Sequence, residues 1–461
     1  MSRAPVTVEI LTPQDAEPKM AAAAGSLLAR GLVPGDRVAF WLPSSADLLC
    51  AVLGAARVGI IPVLLNATLL AAERDVLLED CQPAYVVLDR PSLVELFDGV
   101  PVALSPYPLT RPMHYTSGTT GRPKGVTTGI FDEETAAQVF LDEASVWGFG
   151  PDDLHMVCSP MYHTVAIRFS AGTLLSGGSL VILSRYDATT ALRVLREVRP
   201  TTAFLVPTHL QRLLAEEDLG PDEVFDSLRL LAHAGAPCPP ALKQAALKRV
   251  GDGVLYEFYG STEGQFTVCT SAEWLERPGT VGRARPGRRL TIEPMAHEDD
   301  GETDDESGVG VIWCEAPPFA AFSYFENPEA TALAWRGEAF SVGDLGWIDD
   351  DGYLFVTGRR TDLIITGGVN VYPAEVEAAL LEIDGVEQVC VFGRDDSTWG
   401  QAVCAAVVAD PQLDAAAILE ASRGRLAPFK RPKEIFLTTS LPVGPTGKVL
   451  RREIERHLGI V

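Results

Sequence analysis

Residues 115–126 combine hydroxyl, glycine and lysine side chains, reading Tyr-Thr-Ser-Gly-Thr-Thr-Gly-Arg-Pro-Lys-Gly-Val. The members that could bind an anion are Thr116, Ser117, Gly118, Thr119, Thr120, Gly121 and Lys124. Glycine lets backbone N–H groups turn toward phosphate oxygens, hydroxyl groups add donors and lysine adds a positive charge. The common phosphate loop has Gly-Lys followed by Ser or Thr, whereas Gly447-Lys448 here precedes Val449. From composition alone, an anion-binding loop and a flexible polar surface loop are equally good interpretations.

Three more polar stretches interrupt the apolar pattern. Residues 256–264 follow a predicted strand and contain Tyr259, Gly260, Thr262 and Glu263, so they lie at a carboxyl end, where open α/β sheets place ligands. There Glu263 could hold Mg²⁺, Thr262 a phosphate and Tyr259 a base. Residues 341–371 include Asp344, Arg359, Gly367 and Gly368, and residues 445–448 form a turn that presents Lys448. Taken singly, such turns are typical of simple chain reversals.

Apolar strand-like runs alternate with helical runs from residue 17 to about residue 259. The predicted helices before the hydroxyl-rich stretch are 21–32, 44–58 and 72–80, and the predicted strands are 37–42, 60–65 and 84–88. After it, strands are predicted at 155–158, 179–183, 202–206, 228–233 and 254–258, with helices between them. This alternation predicts two mainly parallel sheets, covered on both faces and packed as subdomains.

The pattern changes twice toward the carboxyl end. After Gly264, short alternating runs at 308–313 and 353–356 predict a small antiparallel, barrel-like sheet, with the acidic residues 297–307 as a solvated hairpin tip without a function. Beyond about residue 360, helices at 372–382 and 414–425 and strands at 386–393, 402–408 and 434–437 predict a compact α+β module. The sequence therefore predicts an α/β protein with a large domain, 1–360, and a small one, 361–461.

The bulk composition limits the possible partners. The 461 residues carry a formal charge of −24, which argues against nucleic-acid binding and against an acidic membrane surface. The eight cysteines show no Cys-x-x-Cys pair and are interpreted as buried thiols in a reducing compartment. The apolar stretch 51–70 is interrupted by Arg57, Pro62 and Asn66, so no membrane span is predicted. The start has no signal-peptide layout, and a cytoplasmic location is expected.

The four polar stretches, in this order, resemble the adenylate-forming superfamily, which includes acyl-CoA synthetases, luciferase and the adenylation domains of peptide synthetases. The resemblance covers about residues 38–452 and is most specific at 115–126, 259–264, 343–377 and 445–453. It implies that a carboxylate attacks the α-phosphate of ATP, that pyrophosphate leaves, and that the acyl-adenylate reacts with a thiol such as CoA. Catalysis would then depend on positioning and on cationic stabilisation of phosphoryl oxygens.

The resemblance also implies roles for individual residues. Thr116, Ser117, Gly118, Thr119, Thr120 and Lys124 would surround the β- and γ-phosphates, Thr262 would contact the α-phosphate and Glu263 would hold Mg²⁺. Gly121 and Gly260 would belong to the same nucleotide-binding site. Adenine would lie between Tyr259 and the turn Gly235-Ala236-Pro237, and Asp344 and Arg359 would bind the ribose. Lys448 would reach the reacting carboxylate and α-phosphate when the small, mobile domain closes.

The resemblance implies a rotation of the small domain between the two half-reactions. The pivot matches Thr361, where relatives usually carry Asp or Lys, so the hinge position departs from the family pattern. After rotation, Gly367 and Gly368 would line the channel for the pantetheine arm, where missing side chains leave room.

The acyl side of the site is less defined. His163 matches a position at which members of this superfamily often carry a histidine, and that histidine lies beside the acyl carboxylate. The aspartate by which peptide-synthetase domains hold an α-ammonium group is absent, which argues against an α-amino acid. Arg168 lies in an apolar helical run; it is interpreted as a salt-bridge or surface residue rather than as a ligand of an anionic substrate group.

The leading hypothesis is an AMP-forming acid–CoA ligase for a small or medium carboxylic acid, aromatic acids included, using ATP, Mg²⁺ and CoA. Alternatives are an adenylation enzyme that loads the phosphopantetheine of a carrier protein, and a ligase that captures the adenylate with an amine or activates a small oxyanion such as nitrite. The short segment between Leu88 and His114 keeps the last group open. The acid and the oligomeric state do not follow from the sequence.

Overall fold

The computed structural model describes residues 5–116, 123–216, 218–220, 222–294, 308–359, 362–366, 369–396, 399–444 and 448–460. Its helices are α1 (Pro13–Ala29), α2 (Ala46–Arg57), α3 (Ala71–Cys81), α4 (Arg90–Glu95), α5 (Glu133–Trp147), α6 (Thr164–Leu175), α7 (Ala188–Glu197), α8 (Pro207–Leu214), α9 (Pro240–Val250), α10 (Ser271–Glu276), α11 (Pro328–Ala334), α12 (Pro373–Leu381), α13 (Ala415–Ser422) and α14 (Ile454–Leu458). Apolar side chains on their inner faces cover the sheets described next.

The first sheet comprises β1 (Val8–Leu11), β7 (Leu154–Val157), β8 (Ser179–Leu183), β9 (Thr202–Leu205), β10 (Leu230–His233), β11 (Leu255–Glu257), β12 (Thr267–Thr270) and β13 (Arg283–Ala284). Its order is β1-β8-β7-β9-β10-β11-β12-β13. The central strands β8, β7, β9, β10 and β11 are parallel, and β1, β12 and β13 join antiparallel at the edges. The carboxyl ends of the parallel strands therefore share one edge.

The second sheet comprises β2 (Arg37–Phe40), β3 (Ile61–Leu64), β4 (Tyr85–Val87), β5 (Met113–Thr116), β6 (Lys124–Thr127) and β16 (Ser323–Tyr324). Its order is β16-β6-β5-β3-β2-β4, with parallel pairing from β4 to β5 and antiparallel pairing of β6 and β16. Strands β5 and β6 form a hairpin, in which the hydroxyl-rich stretch connects the end of β5 to the start of β6. The sheet thus presents this loop at its edge.

Two smaller sheets complete the fold. The third comprises β14 (Arg289–Pro294), β15 (Gly310–Glu315), β17 (Trp335–Arg336), β18 (Ala339–Phe340), β19 (Asp344–Ile348) and β20 (Leu354–Arg359), all antiparallel. The fourth comprises β21 (Ile364–Thr366), β22 (Val369–Val371), β23 (Val386–Asp396), β24 (Gly400–Ala409) and β25 (Glu434–Leu437). It packs against α12 and α13 around its own apolar core.

The predicted fold class is confirmed: two mainly parallel sheets with helices, a small antiparallel sheet and a carboxyl-terminal α+β unit. The proposed boundary after residue 360 stays a prediction, because residues 360 and 361 lie outside the described ranges. The acidic segment 297–307 also lies outside them.

The first helix is longer than predicted. It begins at Pro13, where residues 21–32 were expected, and ends at Ala29. Proline normally marks a helix boundary, so Pro18 hid the amino-terminal part. The Thr12 side chain caps the helix by accepting a hydrogen bond from the Asp15 N–H at 3.2 Å, and this cap lies outside the periodic apolar pattern.

The cysteine prediction holds for most of the thiols. All eight cysteines are free, and all except Cys238 are buried. Among the described residues, no helix combines the length and the apolar character that crossing a membrane needs.

We expect stability to fall in mild acid because several histidines are buried in the neutral form. These are His114, His155, His163, His209 and His233. Burial lowers the pKa to about 4 for His114 and His209, to about 3 for His155 and His163, and well below 6.5 for His233. Below pH 6.5 the unfolded chain therefore binds more protons than the folded chain, so the stabilisation is complete above that pH and decreases as the pH falls. Thermal unfolding at pH 7.5 and pH 5 measures the loss.

The matched control is His155→Gln, which can still hydrogen-bond to Thr202, now 2.9 Å from the imidazole Nδ1. This variant should bind fewer protons on unfolding and show a shallower dependence on pH. Equal thermal midpoints for the original chain at pH 7.5 and pH 5 would contradict the prediction.

Candidate active site

The hairpin β5–β6 positions the two described polar ends of the hydroxyl-rich loop. Thr116 and Lys124 are opposite each other in the antiparallel register, and the Thr116 hydroxyl lies 3.5 Å from the Lys124 carbonyl oxygen. The predicted phosphate-binding residues between them, Ser117, Gly118, Thr119, Thr120 and Gly121, lie outside the described residues. The hairpin therefore fixes where the loop begins and ends.

The tight turn after β11 presents Glu263. Gly260 and Gln265 pair across this turn, and the Ser261 N–H donates to the Gly264 carbonyl at 2.7 Å. A Cβ atom at Gly260 would lie 3.0 Å from the Gly264 oxygen, so close approach of the backbone explains the glycine. Glu263 is buried, and its Oε1 accepts a hydrogen bond from the Tyr324 hydroxyl at 2.8 Å.

Tyr324 connects this turn with the lysine of the hairpin. It belongs to β16, which pairs antiparallel with β6. The Lys124 ammonium lies 4.8 Å from the centre of the Tyr324 ring, within the range of a cation–π contact. One side chain therefore joins Lys124 and Glu263, which are distant in sequence.

The predicted ribose-binding residues face each other across β19 and β20. Asp344 and Arg359 are register partners, and the Arg359 Nε donates to an Asp344 oxygen at 3.1 Å. The other Asp344 oxygen accepts from the Tyr259 hydroxyl at 2.6 Å. Burial opposes ionisation of the guanidinium, yet the Asp344 and Asp362 carboxylates raise the pKa of Arg359. A buried carboxylate is thus held between a phenol and a cation.

The expected adenine-binding residues share the carboxyl edge of the first sheet. The turn Gly235-Ala236-Pro237 follows β10, which lies parallel to β11. Gly235 has φ +93°, a left-handed conformation that glycine adopts without strain. One face of Tyr259 stacks on Phe266, with ring centres 4.7 Å apart, so a base would have to use the opposite face.

Lys448 and His163 approach each other although 285 positions separate them in the sequence. Burial lowers the pKa of His163 to about 3, and the positive charge of Lys448 contributes. Desolvation of the Lys448 ammonium and repulsion by Arg359 lower the pKa of Lys448. The Asp344 carboxylate acts in the opposite direction and raises it. The carboxyl-terminal lysine therefore lies near the amino-terminal end of α6 and near the third sheet. Thr361, Gly367 and Gly368 lie outside the described ranges.

Several polar atoms at the site are buried without a hydrogen-bond partner among the described residues: His163 Nε2, Thr164 Oγ1 and Ser261 Oγ. Groups of this kind are destabilising unless a ligand or water satisfies them. The described residues contain no cluster of three or more histidine, cysteine or acidic side chains suited to a metal. Glu263 alone fits a Mg²⁺ ion whose other ligands are phosphate and water oxygens, the usual coordination of that ion.

A cavity of about 130 Å³ extends from Thr262 and Glu263 into the large domain. Part of its wall is apolar, and part carries Arg111, Arg168, Arg288, Asp142 and Glu143. This polar part is called the arginine end below. Arg168 donates to Glu143 and, at 2.9 Å, to Gln265, so the predicted salt bridge of Arg168 is confirmed.

The sequence analysis missed three residues of this region. Tyr324 lies 61 positions from Glu263, and no spacing pattern connects them. Arg111 precedes β5 in a loop with no recognisable motif, and Glu143 belongs to an ordinary amphipathic helix, α5. Whether a charged residue lines a largely apolar cavity can be determined only when the fold is known.

These features together define an adenylate-forming enzyme. The α/β domain carries Lys124 in a hairpin, the buried Glu263 and the pair of Asp344 and Arg359, and the carboxyl-terminal unit contributes Lys448. Residues 6–105 and 112–322 match the model of the family described as AMP-binding enzyme, and residues 375–448 match that of the AMP-binding enzyme C-terminal domain. The chain belongs to the AMP-binding enzyme family, as predicted.

Curated relatives match over most of their length. A 2-succinylbenzoate–CoA ligase of Bacillus licheniformis is 32% identical, covering 94% of this chain and 91% of the relative. A long-chain-fatty-acid–CoA ligase of Mycobacterium tuberculosis is 31% identical, covering 92% and 88%. Both names are those of acid–CoA ligases, which confirms the predicted enzyme class.

Solved structures agree with this assignment. ATP-bound MatB from Rhodopseudomonas palustris has a TM-score of 0.84 at 29% identity, covering 97% of this chain and 93% of that one. The o-succinylbenzoate–CoA synthetase of Bacillus subtilis with ATP and magnesium has a TM-score of 0.81 at 26% identity, covering 96% and 94%. The fold is therefore shared over nearly the whole chain.

Proposed function

We propose that this protein is an AMP-forming acid–CoA ligase that activates a small-molecule carboxylic acid with ATP and Mg²⁺ and transfers the acyl group to CoA. The observation that carries the proposal is that separate elements contribute two linked sets of charged groups. Tyr324 connects Lys124 with Glu263, and Lys448 lies near the ion pair of Asp344 and Arg359. Membership of the AMP-binding enzyme family and the names of the relatives support the same conclusion.

The phosphates of ATP would lie between the hairpin β5–β6 and the turn after β11. Lys124 supplies a positive charge, and Thr262 lines the cavity beside Glu263. Glu263 would hold Mg²⁺, which when bound neutralises phosphate charge and aligns the leaving pyrophosphate. The hydroxyls of Thr116, Ser117, Thr119 and Thr120, with the backbone at Gly118, Gly121 and Gly260, are proposed as further phosphate contacts.

The nucleoside would lie along the carboxyl edge of the first sheet. The ribose hydroxyls would donate to Asp344, whose carboxylate Tyr259 and Arg359 already orient. The base would contact the free face of Tyr259 and the turn Gly235-Ala236-Pro237. These contacts would hold the α-phosphate in line for attack by the carboxylate, so that much of the rate enhancement would come from positioning.

The reacting carboxylate would lie between His163 and Lys448. The low pKa of His163 keeps its imidazole neutral at physiological pH, so its Nε2 can exchange a hydrogen bond with the acid without adding charge. The Lys448 ammonium would stabilise the negative charge that develops on the α-phosphate and the attacking oxygen. Transfer to CoA would follow a rotation of the small domain near Thr361, with Gly367 and Gly368 along the pantetheine path.

The proposed activity is tested by a pyrophosphate-release screen. The purified protein is incubated with ATP, Mg²⁺ and a panel of acids that includes 2-succinylbenzoate, long-chain fatty acids and nitrite, with and without CoA. We expect acid-dependent pyrophosphate release and consumption of CoA in equal amounts. Adenylation without CoA consumption, combined with loading of a purified phosphopantetheinyl carrier protein, would contradict CoA as the acceptor.

A further inference from the structure

The arginine end of the cavity contains more positive than negative groups. Two carboxylates, Asp142 and Glu143, lie among the guanidinium groups of Arg111, Arg168, Arg285 and Arg288. Both carboxylates are fully engaged. Asp142 accepts from Arg288 at 2.7 and 2.8 Å and from Arg285 at 3.0 Å.

Glu143 is equally committed. It accepts from Trp147 Nε1 at 2.8 Å, from Arg168 and, at 3.4 Å, from Arg285. Burial alone would raise its pKa, but the Arg168 and Arg285 guanidinium groups hold the pKa of Glu143 at about 2. Gln265 Oε1 accepts from both arginines, at 2.9 and 3.1 Å.

Arg111 remains without a counter-ion. Among the residues that the structure describes, no carboxylate lies within 4.0 Å of its guanidinium, which makes no hydrogen bond to any of them. The guanidinium also lies near the Phe131 ring, whose centre is 6.0 Å away, at the outer limit of a cation–π interaction. Burial, together with repulsion by Arg168, lowers the pKa of Arg111 to about 10, so the group remains charged at neutral pH. A partly buried cation facing a cavity favours an anionic ligand.

The anion that Arg111 favours is distinct from the triphosphate. The charges that act most strongly on Arg111 are those of Arg168, Glu143, Asp142 and Arg288, not that of Glu263. Arg111 also precedes β5, and that strand spans roughly 10 Å from its first residue to the phosphate-loop end at Thr116. The same cavity nevertheless reaches Thr262, beside which the acid would react.

We propose that the acid activated here carries a second carboxylate, and that Arg111 binds this distal carboxylate within the acyl cavity. The inference rests on the proposed adenylation function and adds the substrate class: dicarboxylic acids, of which one carboxylate is adenylated and the other remains ionised. Arg168 pairs with Glu143 and Arg288 pairs with Asp142. Among the described residues of the arginine end, Arg111 is therefore the guanidinium that no ion pair neutralises.

The test compares dicarboxylic acids with their monomethyl esters. Malonate, succinate, glutarate, phthalate and 2-succinylbenzoate serve as probes, and kcat/KM is measured by pyrophosphate release. For the best dicarboxylate we expect a preference of about a hundredfold over its half-ester, since the ester leaves the partly buried cation of Arg111 unpaired. Arg111→Met should reduce kcat/KM for the diacid about a hundredfold, leave the half-ester within a few-fold, and leave the KM for ATP unchanged.

Two further variants separate binding from folding. Arg111→Lys keeps the charge and should retain the preference for the diacid at a reduced rate, even if Arg111→Met proves unstable. Arg289→Met removes an exposed arginine that pairs with Glu315 on the surface and should behave like the original chain. Thermal midpoints check that the variants fold.

The outcomes are distinguishable. Three results would overturn the role of Arg111 while leaving adenylation intact. The first two are an equal loss for diacid and half-ester in Arg111→Met and a raised KM for ATP in that variant. The third is a preference of the original chain for half-esters or monocarboxylic acids. Absence of pyrophosphate release with every acid, mono or di, would overturn the proposed function itself.

Discussion

Lys448→Ala should reduce the adenylation half-reaction on the order of 10²–10³-fold, the usual cost of removing a group that stabilises transition-state charge. The structure brings Lys448 close enough to His163, Arg359 and Asp344 for their charges to interact, which is where the reacting carboxylate and α-phosphate would meet. Alanine leaves the rest of the site in place. The measurement is acid-dependent pyrophosphate release in the absence of CoA.

The second half-reaction supplies the control for Lys448. Thioester formation from supplied acyl-adenylate and CoA should be unaffected in Lys448→Ala, because the proposed rotation of the small domain would remove Lys448 from the α-phosphate before the thiol attacks. Lys430→Ala, which breaks a surface pair with Glu375 in the same carboxyl-terminal unit, should leave both half-reactions intact. Equal loss of both half-reactions in Lys448→Ala would refute the proposed role.

Glu263→Gln should raise the Mg²⁺ concentration needed for half-maximal adenylation and lower the maximal rate on the order of 10²–10³-fold. Glutamine preserves the size of the side chain but removes the charge that a hard cation such as Mg²⁺ requires. Among the described residues no cluster of acidic groups can replace it. Pyrophosphate release measured across a Mg²⁺ titration at saturating ATP gives both quantities.

Tyr324→Phe is the matched control for the carboxylate. It removes the 2.8 Å hydrogen bond to Glu263 while retaining the charge and the ring beneath Lys124. We expect a loss of about tenfold, in line with one hydrogen bond to a charged group. If Glu263→Gln left the Mg²⁺ dependence unchanged, or if Tyr324→Phe had the larger effect, Glu263 would not be the metal ligand.

Local sequence patterns were sufficient for much of the fold. Strand β8 begins and ends at the predicted residues, and α2 is capped by a serine, Ser45, whose side chain accepts from the Leu48 N–H at 3.1 Å. Both follow from periodicity and capping chemistry, which act over a few residues. The alternation of strands and helices also predicted the two mainly parallel sheets.

Pairing between distant segments could not be predicted in the same way. Strand β1 pairs with β8 and forms one edge of the first sheet, and the two-residue strand β16 forms one edge of the second. Neither strand has a local sequence pattern that identifies the strand with which it pairs. The same limitation explains the site: motif residues such as Glu263 and Lys448 were identified, whereas Tyr324 and Arg111 depend on tertiary contacts.

Strand β16 also bears on how the protein is made. Until residues 323 and 324 emerge from the ribosome, the outer edge of β6 has no partner, although β6 itself is complete roughly 200 residues earlier. At 5–20 residues per second, this edge stays open for about 10–40 s of synthesis. An unpaired edge strand is a template for pairing with other chains, so nascent chains that stall in this interval should be especially prone to aggregation.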